Sequence, residues 1–186
     1  MKKPYLFVFA VLLCAQQALF AQSFKAPQKF RSFTKMQLNY GLGINDVVNN
    51  QKVNPFQIKF MFGKQNEFFG AALGIATGNY KNNGSNGGLN MNTLAFSANG
   101  HYLLRSVEDY GSAPFLKAGI GYAPKIFREY AKGLNYDAGA GYVFTNKKGG
   151  RYFAELQYHT QRFENFYYQG NNLKAESIGL GVGLWF

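Results

Sequence analysis

The sequence predicts an all-β chain, an eight-stranded antiparallel up-and-down transmembrane β-barrel. Three observations carry that expectation: an export-type signal at the start, eight segments in which apolar residues strictly alternate with small or polar ones, and connections that alternate between short and long. With 186 residues there is room for one domain of ordinary size, so separate cofactor and substrate lobes are not expected.

The signal comes first. Lys2 and Lys3 precede an apolar run from Tyr5 to Ala15 within MKKPYLFVFAVLLCAQQALFAQ. A spanning helix needs about 20 apolar residues, so this shorter run fits a secretory signal over 1–21, with cleavage after Ala21 or Ser23, rather than a retained anchor. The only cysteine, Cys14, lies in this segment, and the mature chain is therefore expected to lack disulfides, thiolate nucleophiles and cysteine metal ligands. Leu13 stands before Cys14 where lipidation wants a small residue. Loss of Lys2 and Lys3 takes the net charge from +11 to +9. The basic residues are scattered and no RNA or DNA motif accompanies them, so nucleic acid is not an expected partner. Residues 22–34, with Lys25, Lys29 and Arg31, read as a periplasmic N-terminal extension or partial plug, and 35–186 as the barrel.

The strands follow in order. In residues 35–44, Met36, Leu38, Tyr40 and Leu42 share one face, and Gln37, Asn39, Gly41 and Gly43 the other. The second segment sets Phe56, Ile58, Phe60 and Phe62 against Gln57, Lys59 and Met61. The third sets Phe69, Ala71, Leu73 and Ile75 against Gly70, Ala72, Gly74 and Ala76. In the fourth, Leu94, Phe96, Ala98, Tyr102 and Leu104 oppose Ala95, Ser97, Asn99 and His101. The fifth sets Leu116, Ala118, Ile120 and Tyr122 against Lys117, Gly119 and Gly121. The sixth opposes Tyr136, Ala138, Ala140 and Tyr142 to Asp137, Gly139 and Gly141; the seventh opposes Tyr152, Ala154, Leu156 and Tyr158 to Phe153, Glu155, Gln157 and His159. The last alternates Ile178, Leu180, Val182 and Leu184 with Ser177, Gly179, Gly181 and Gly183.

One face is thus apolar throughout, and the other holds glycines, small residues and the strand-borne charges. Eight strands enclose an interior only just wide enough for side chains, which rows of Phe, Leu and Tyr would overfill in a soluble barrel. Turned outward into lipid the same face fits, and closure satisfies every backbone group that hydrocarbon would leave unbonded. The joint excess of 19 Phe, 13 Tyr and 22 Gly then has one cause, with tyrosines near strand ends supplying the interfacial girdles.

The connections GKQNE and TNKKGG are short, whereas 45–54, 79–88, 123–133 and 162–172 are longer and are expected to face outward, where they can hold an extracellular ligand. The stretch from Arg105 to Ser112 is long for a periplasmic turn. RFENFYYQGNN in the fourth long connection collects Phe163, Phe166, Tyr167 and Tyr168 outside the membrane, for binding or for folding back on the rim.

With these strands, the signal and the final LWF, the chain resembles the small eight-stranded outer-membrane β-barrel family typified by OmpX and the barrel domain of OmpA, over roughly 35–186. The resemblance implies the outer membrane of a Gram-negative bacterium, contact with its lipid and lipopolysaccharide, and insertion by a barrel-assembly machinery that reads Leu180, Val182, Leu184 and Phe186. The peptidoglycan-binding domain that some members append is not expected.

On chemistry, the lipid A deacylases among such barrels pair a histidine with a serine two residues later. Here Gln161 stands at that place after His159, so the family's chemistry is not carried over. Glu155, His159 and the neighbouring Ser177 share the inward face and could form a triad, yet polar packing of the lumen accounts for them equally. His101 and His159 make no zinc signature. Lys35, Lys59, Lys117, Asp137, Glu155, Gln157 and His159 are expected to form a hydrogen-bonded ionic network inside, together with Gln37 and Gln57. The expected role is a structural or interaction barrel without catalysis or cofactor and with a mostly filled lumen. The alternatives are a lipid-modifying outer-membrane hydrolase and a narrow channel for small solutes or hydrophobic ligands.

Overall fold

The computed structural model describes residues 29–47, 51–82, 90–126, 131–146, 150–164 and 172–186. The expected signal, most of the expected extension, and Phe166, Tyr167 and Tyr168 lie outside the described residues. Eight strands form: β1 (Arg31–Gly43), β2 (Asn54–Gln65), β3 (Phe69–Lys81), β4 (Asn90–Leu103), β5 (Ser112–Ala123), β6 (Gly133–Thr145), β7 (Arg151–Glu164) and β8 (Asn172–Trp185). They pair in chain order, and β1 with β8 completes a closed antiparallel barrel. The seam runs from Lys35 opposite Trp185 to Gly43 opposite Ser177. Beyond it the terminal residue joins in: the Phe186 N–H donates to the Thr34 carbonyl, and the Thr34 N–H to that of Phe186, at 2.8 and 2.9 Å. No sheet edge is left between the strands, which is the condition for crossing hydrocarbon.

Alternation explains which way each side chain points. Odd positions of β1 and β2 are buried inside while even ones are exposed outside, and the same period runs through the other strands. The outward set is apolar and bare, with Leu73 74% and Leu180 68% exposed. Such surface is unfavourable in water and suited to lipid.

Three boundaries differ from the sequence expectation. β1 begins at Arg31, so Phe33 belongs to the barrel and not to an extension. The long connections begin later than 79 and 162, because pairing with the next strand carries β3 to Lys81 and β7 to Glu164. Phe163 is accordingly not in an outer loop; it is fully buried inside the barrel, edge-on to Tyr80 at 5.1 Å. Finally, the long stretch between β4 and β5 contains a one-turn helix, α1 (Val107–Tyr110). Gly111, at φ 66°, closes that turn by donating its N–H to the Val107 carbonyl, a backbone state that favours glycine. Buried Val107 joins the apolar cluster at that end of the barrel.

The two short turns are held locally. Asn66 accepts the Phe68 and Phe69 N–H groups through its side-chain oxygen, at 2.9 and 2.7 Å. Asn146 caps the β6–β7 turn by accepting the Gly150 N–H at 2.9 Å. Both use an amide side chain in place of a backbone partner.

Candidate functional site

Among the described residues the lumen gathers the predicted polar residues, and it is stratified along the barrel axis. Nearest α1 lies an apolar floor. Phe33 from β1, Phe115 from β5, Phe153 from β7 and Trp185 from β8 pack together with Met61, Leu103, Val107 and Val143. Phe115 meets Trp185 at 5.8 Å and 90° and Phe153 meets it at 6.3 Å and 89°, the edge-to-face geometry that aromatic quadrupoles prefer, while Phe33 lies tilted to it at 5.9 Å and 45°. His101 is also in this floor, 4.5 Å from the Trp185 ring and 5.1 Å from that of Phe33.

Lys35 joins the floor to the tier above. Its ammonium lies 3.8 Å from the ring centre of Phe153, 4.6 Å from Phe115 and 4.7 Å from Trp185, and 3.7 Å from Glu155. Aromatic faces and a carboxylate together replace the water that burial removes.

The second tier is an ionic belt. Lys59 reaches Asp137 at 2.9 Å, and Lys117 bridges both acids, at 3.3 Å to Asp137 and by a direct ion pair to Glu155. Lys117 also donates to Gln157 at 2.8 Å, while the Gln37 amide donates to Glu155 and Asn39. Register explains the convergence: Lys117, Gly139 and Gln157 lie in one cross-strand row, as do Asn39, Gly181 and Glu155. The glycines give the long side chains space. A Cβ on Gly181 would sit 2.5 Å from the Asn39 side-chain oxygen and 2.9 Å from Glu155. Three lysines face two carboxylates here, and each charge has an opposite partner.

The third tier is a hydrogen-bonded triangle under a second apolar cap. His159 Nε2 lies 2.8 Å from the Tyr80 hydroxyl and 2.9 Å from the Gln57 amide nitrogen, and that same amide donates to Tyr80 at 2.8 Å. An amide nitrogen cannot accept, so with the Gln57 nitrogen facing it Nε2 is assigned as the acceptor and the ring proton to Nδ1. Val53, Tyr80, Met91, Phe163 and Ala175 close the lumen above it.

All seven lysine, acid, amide and histidine positions singled out in the sequence therefore lie inside, in two connected groups. The conceivable triad is not assembled. Ser177 is opposite His159 in register, but the described bonds of His159 Nε2 go to Tyr80 and Gln57, and Glu155 is taken up by Lys117, Lys35 and Gln37. The carboxylate opposite His159 is Asp137, which is held by two lysines. Gln161 turns its amide onto backbone carbonyls, including that of Arg162 at 2.7 Å. Among the described residues no group of three or more His, Cys, Asp or Glu is placed to hold a metal ion. Two cavities in the described lumen are small, about 20 Å³ beside Lys35 and His101 and about 10 Å³ beside Asp137 and His159.

Sequence reasoning missed the two apolar seals. Their signal was present as parity: Phe33 shares its face with Lys35, Phe115 with Lys117, and Trp185 with Gly183. Read in register, these large inward residues fall at one end of the barrel, where the glycines of β8 leave them space.

No protein-family model and no curated protein matches the sequence. Solved structures do resemble the fold. Neisserial surface protein A (NspA) matches with a TM-score of 0.56 at 11% identity, over 86% of this chain and 100% of that one. The outer membrane protein OprG from Pseudomonas aeruginosa matches with a TM-score of 0.50 at 12% identity, over 83% and 95%. The outer membrane enzyme PagL matches at 0.42 and 15% identity, over 79% and 97%, which is too loose to bear on chemistry. The fold is that of the small eight-stranded outer-membrane barrels.

Proposed function

We propose that this chain is an integral barrel of a Gram-negative outer membrane with a structural or interaction role, a sealed lumen and no catalytic turnover. The supporting observation is the three-tiered interior: apolar seals at both ends of a charge-compensated belt, inside a wall whose outer face is apolar all round. A conducting pore needs a continuous polar path, and packed aromatic rings interrupt one here. A hydrolase needs an activated nucleophile, and His159 spends its acceptor nitrogen on Tyr80 and Gln57. The wall is in contact with membrane lipid and lipopolysaccharide. The assembly machinery reads the alternate outward residues Leu180, Val182 and Leu184 and the terminal Phe186, and the connections at the end opposite α1 are the place for an extracellular ligand.

Two measurements test this reading together. The chain should fractionate with outer membranes and migrate faster unheated than boiled in a detergent gel, since closed barrels resist unfolding. In planar bilayers it should show no steady conductance above the unmodified membrane. Recovery as a soluble periplasmic protein, or reproducible single-channel steps from the parent chain, contradicts the first or the second half.

A further inference from the structure

Between the aromatic floor and the ionic belt lies a cavity of about 20 Å³, bordered by Phe33 and Met61 on the floor side and by Lys35, Lys59 and Lys117. No carboxylate borders it, whereas the cavity of about 10 Å³ nearer His159 does meet Asp137. The ions around it do not cancel. Lys59 and Lys117 pair with Asp137, and Lys117 and Lys35 approach Glu155, so among the described lumen residues three ammoniums meet two carboxylates. One positive charge is left over in a lipid-wrapped interior, where an uncompensated charge is costly.

Donors are left over as well, since each ammonium carries three N–H groups. Lys35 has no acid within hydrogen-bond reach: the Glu155 oxygen is 3.7 Å away, and aromatic rings flank the ammonium instead. Lys59 gives one N–H to Asp137 at 2.9 Å. His101, on the same cavity wall, has a buried Nε2 with no hydrogen-bond partner among the described residues, a donor in its N–H tautomer. The complement to this wall is negative, singly charged and small. A cavity of this size takes one body little larger than water, which shuts out sulfate and phosphate, and a second negative charge would overshoot the balance. We infer that the cavity binds one monovalent anion of the halide type, taken up as the barrel closes, with Lys35 and Lys59 as its principal donors.

The single tryptophan reports on the site, because the Lys35 ammonium is 4.7 Å from the Trp185 ring centre. Bromide quenches indole emission only at short range, and the buried Trp185 is shielded from ions in bulk water. The mature chain is refolded from urea into detergent with increasing sodium bromide, sodium sulfate holding the ionic strength constant, and Trp185 emission is followed. Quenching should saturate, and it should be relieved by chloride added during refolding but not by further sulfate. Lys35→Met leaves two ammoniums with two carboxylates and should lose the saturable quenching. Arg162→Gln, which removes an exposed charge from β7, should match the parent. If Lys35→Met loses the heat-dependent gel shift, Lys59→Met equalises the charges in the same way and serves instead. Quenching that is absent from the parent, that rises without saturating, or that sulfate relieves as well as chloride does overturns the assignment. So does a folded lysine variant that responds like the parent, or an Arg162→Gln variant that does not. The measurement is made in detergent, so its failure is distinguishable from failure of the fractionation and conductance measurements.

Discussion

The floor and the belt close the same narrow tube by different physics. In the floor Phe33, Phe115, Phe153 and Trp185 exclude water by shape, and what each contributes is area and contact. In the belt Lys59, Lys117, Asp137 and Glu155 exclude it by compensation: each is taken out of water and tolerated only because an opposite charge is within reach. The difference teaches where the barrel tolerates change. An apolar seal absorbs a substitution of similar volume, whereas a belt residue cannot lose its charge without stranding its partner's.

The largest expected effect breaks the belt by a change of almost no size. Glu155→Gln leaves Lys35 and Lys117 to share what Asp137 can offer, and stability in lipid vesicles against urea should fall by about 3–5 kcal/mol. Adding Lys117→Met to that variant should recover part of the loss, the part due to Lys117, while Lys35 still lacks its carboxylate. A double variant no better than the single one would show that volume, not charge compensation, governs this tier.

Next comes the outer wall, since the contrast inside assumes lipid outside. Leu180→Arg should cost about 2–4 kcal/mol if the residue is near the midplane, and less nearer either interface. The same urea titration measures it, and a change within error would place Leu180 in contact with water.

A smaller effect is expected in the floor. Met61→Leu keeps an apolar group of nearly the same volume and should cost under about 1.5 kcal/mol. A loss as large as that of Glu155→Gln would erase the distinction between the tiers. Smallest of all is the exposed Arg31–Glu108 pair outside the seal, with side chains 65% and 53% accessible. A double-mutant cycle there should give a coupling of about 0.2–1 kcal/mol that declines with added salt.

The strands were legible because a period of two is imposed residue by residue: Leu38 and Gln37, or Leu180 and Gly181, declare opposite solvents at adjacent positions. The belt was legible for the same reason, as a buried lysine needs a buried acid and few were on offer. What the sequence withheld depends on register. Nothing local says that Lys117 reaches both Asp137 and Glu155, or that His159 is met by Gln57 from β2 and Tyr80 from β3. Phe163 looked like part of an aromatic outer loop because its neighbours are aromatic too, and only its pairing with Leu173 carries the strand far enough to turn it inward. Val107 was hidden in a connection whose excess length was noticed but whose single helical turn was not.

The central claim is that the bare apolar face meets lipid while the polar face is sealed inside. Single cysteines replacing Leu180 and Val182 in the mature chain, which is expected to carry no other, test it most directly. In intact membranes they should resist a water-soluble maleimide, and a fluorophore placed there should be quenched by spin-labelled lipid. Ready labelling from water together with indifference to the lipid quencher would contradict the account.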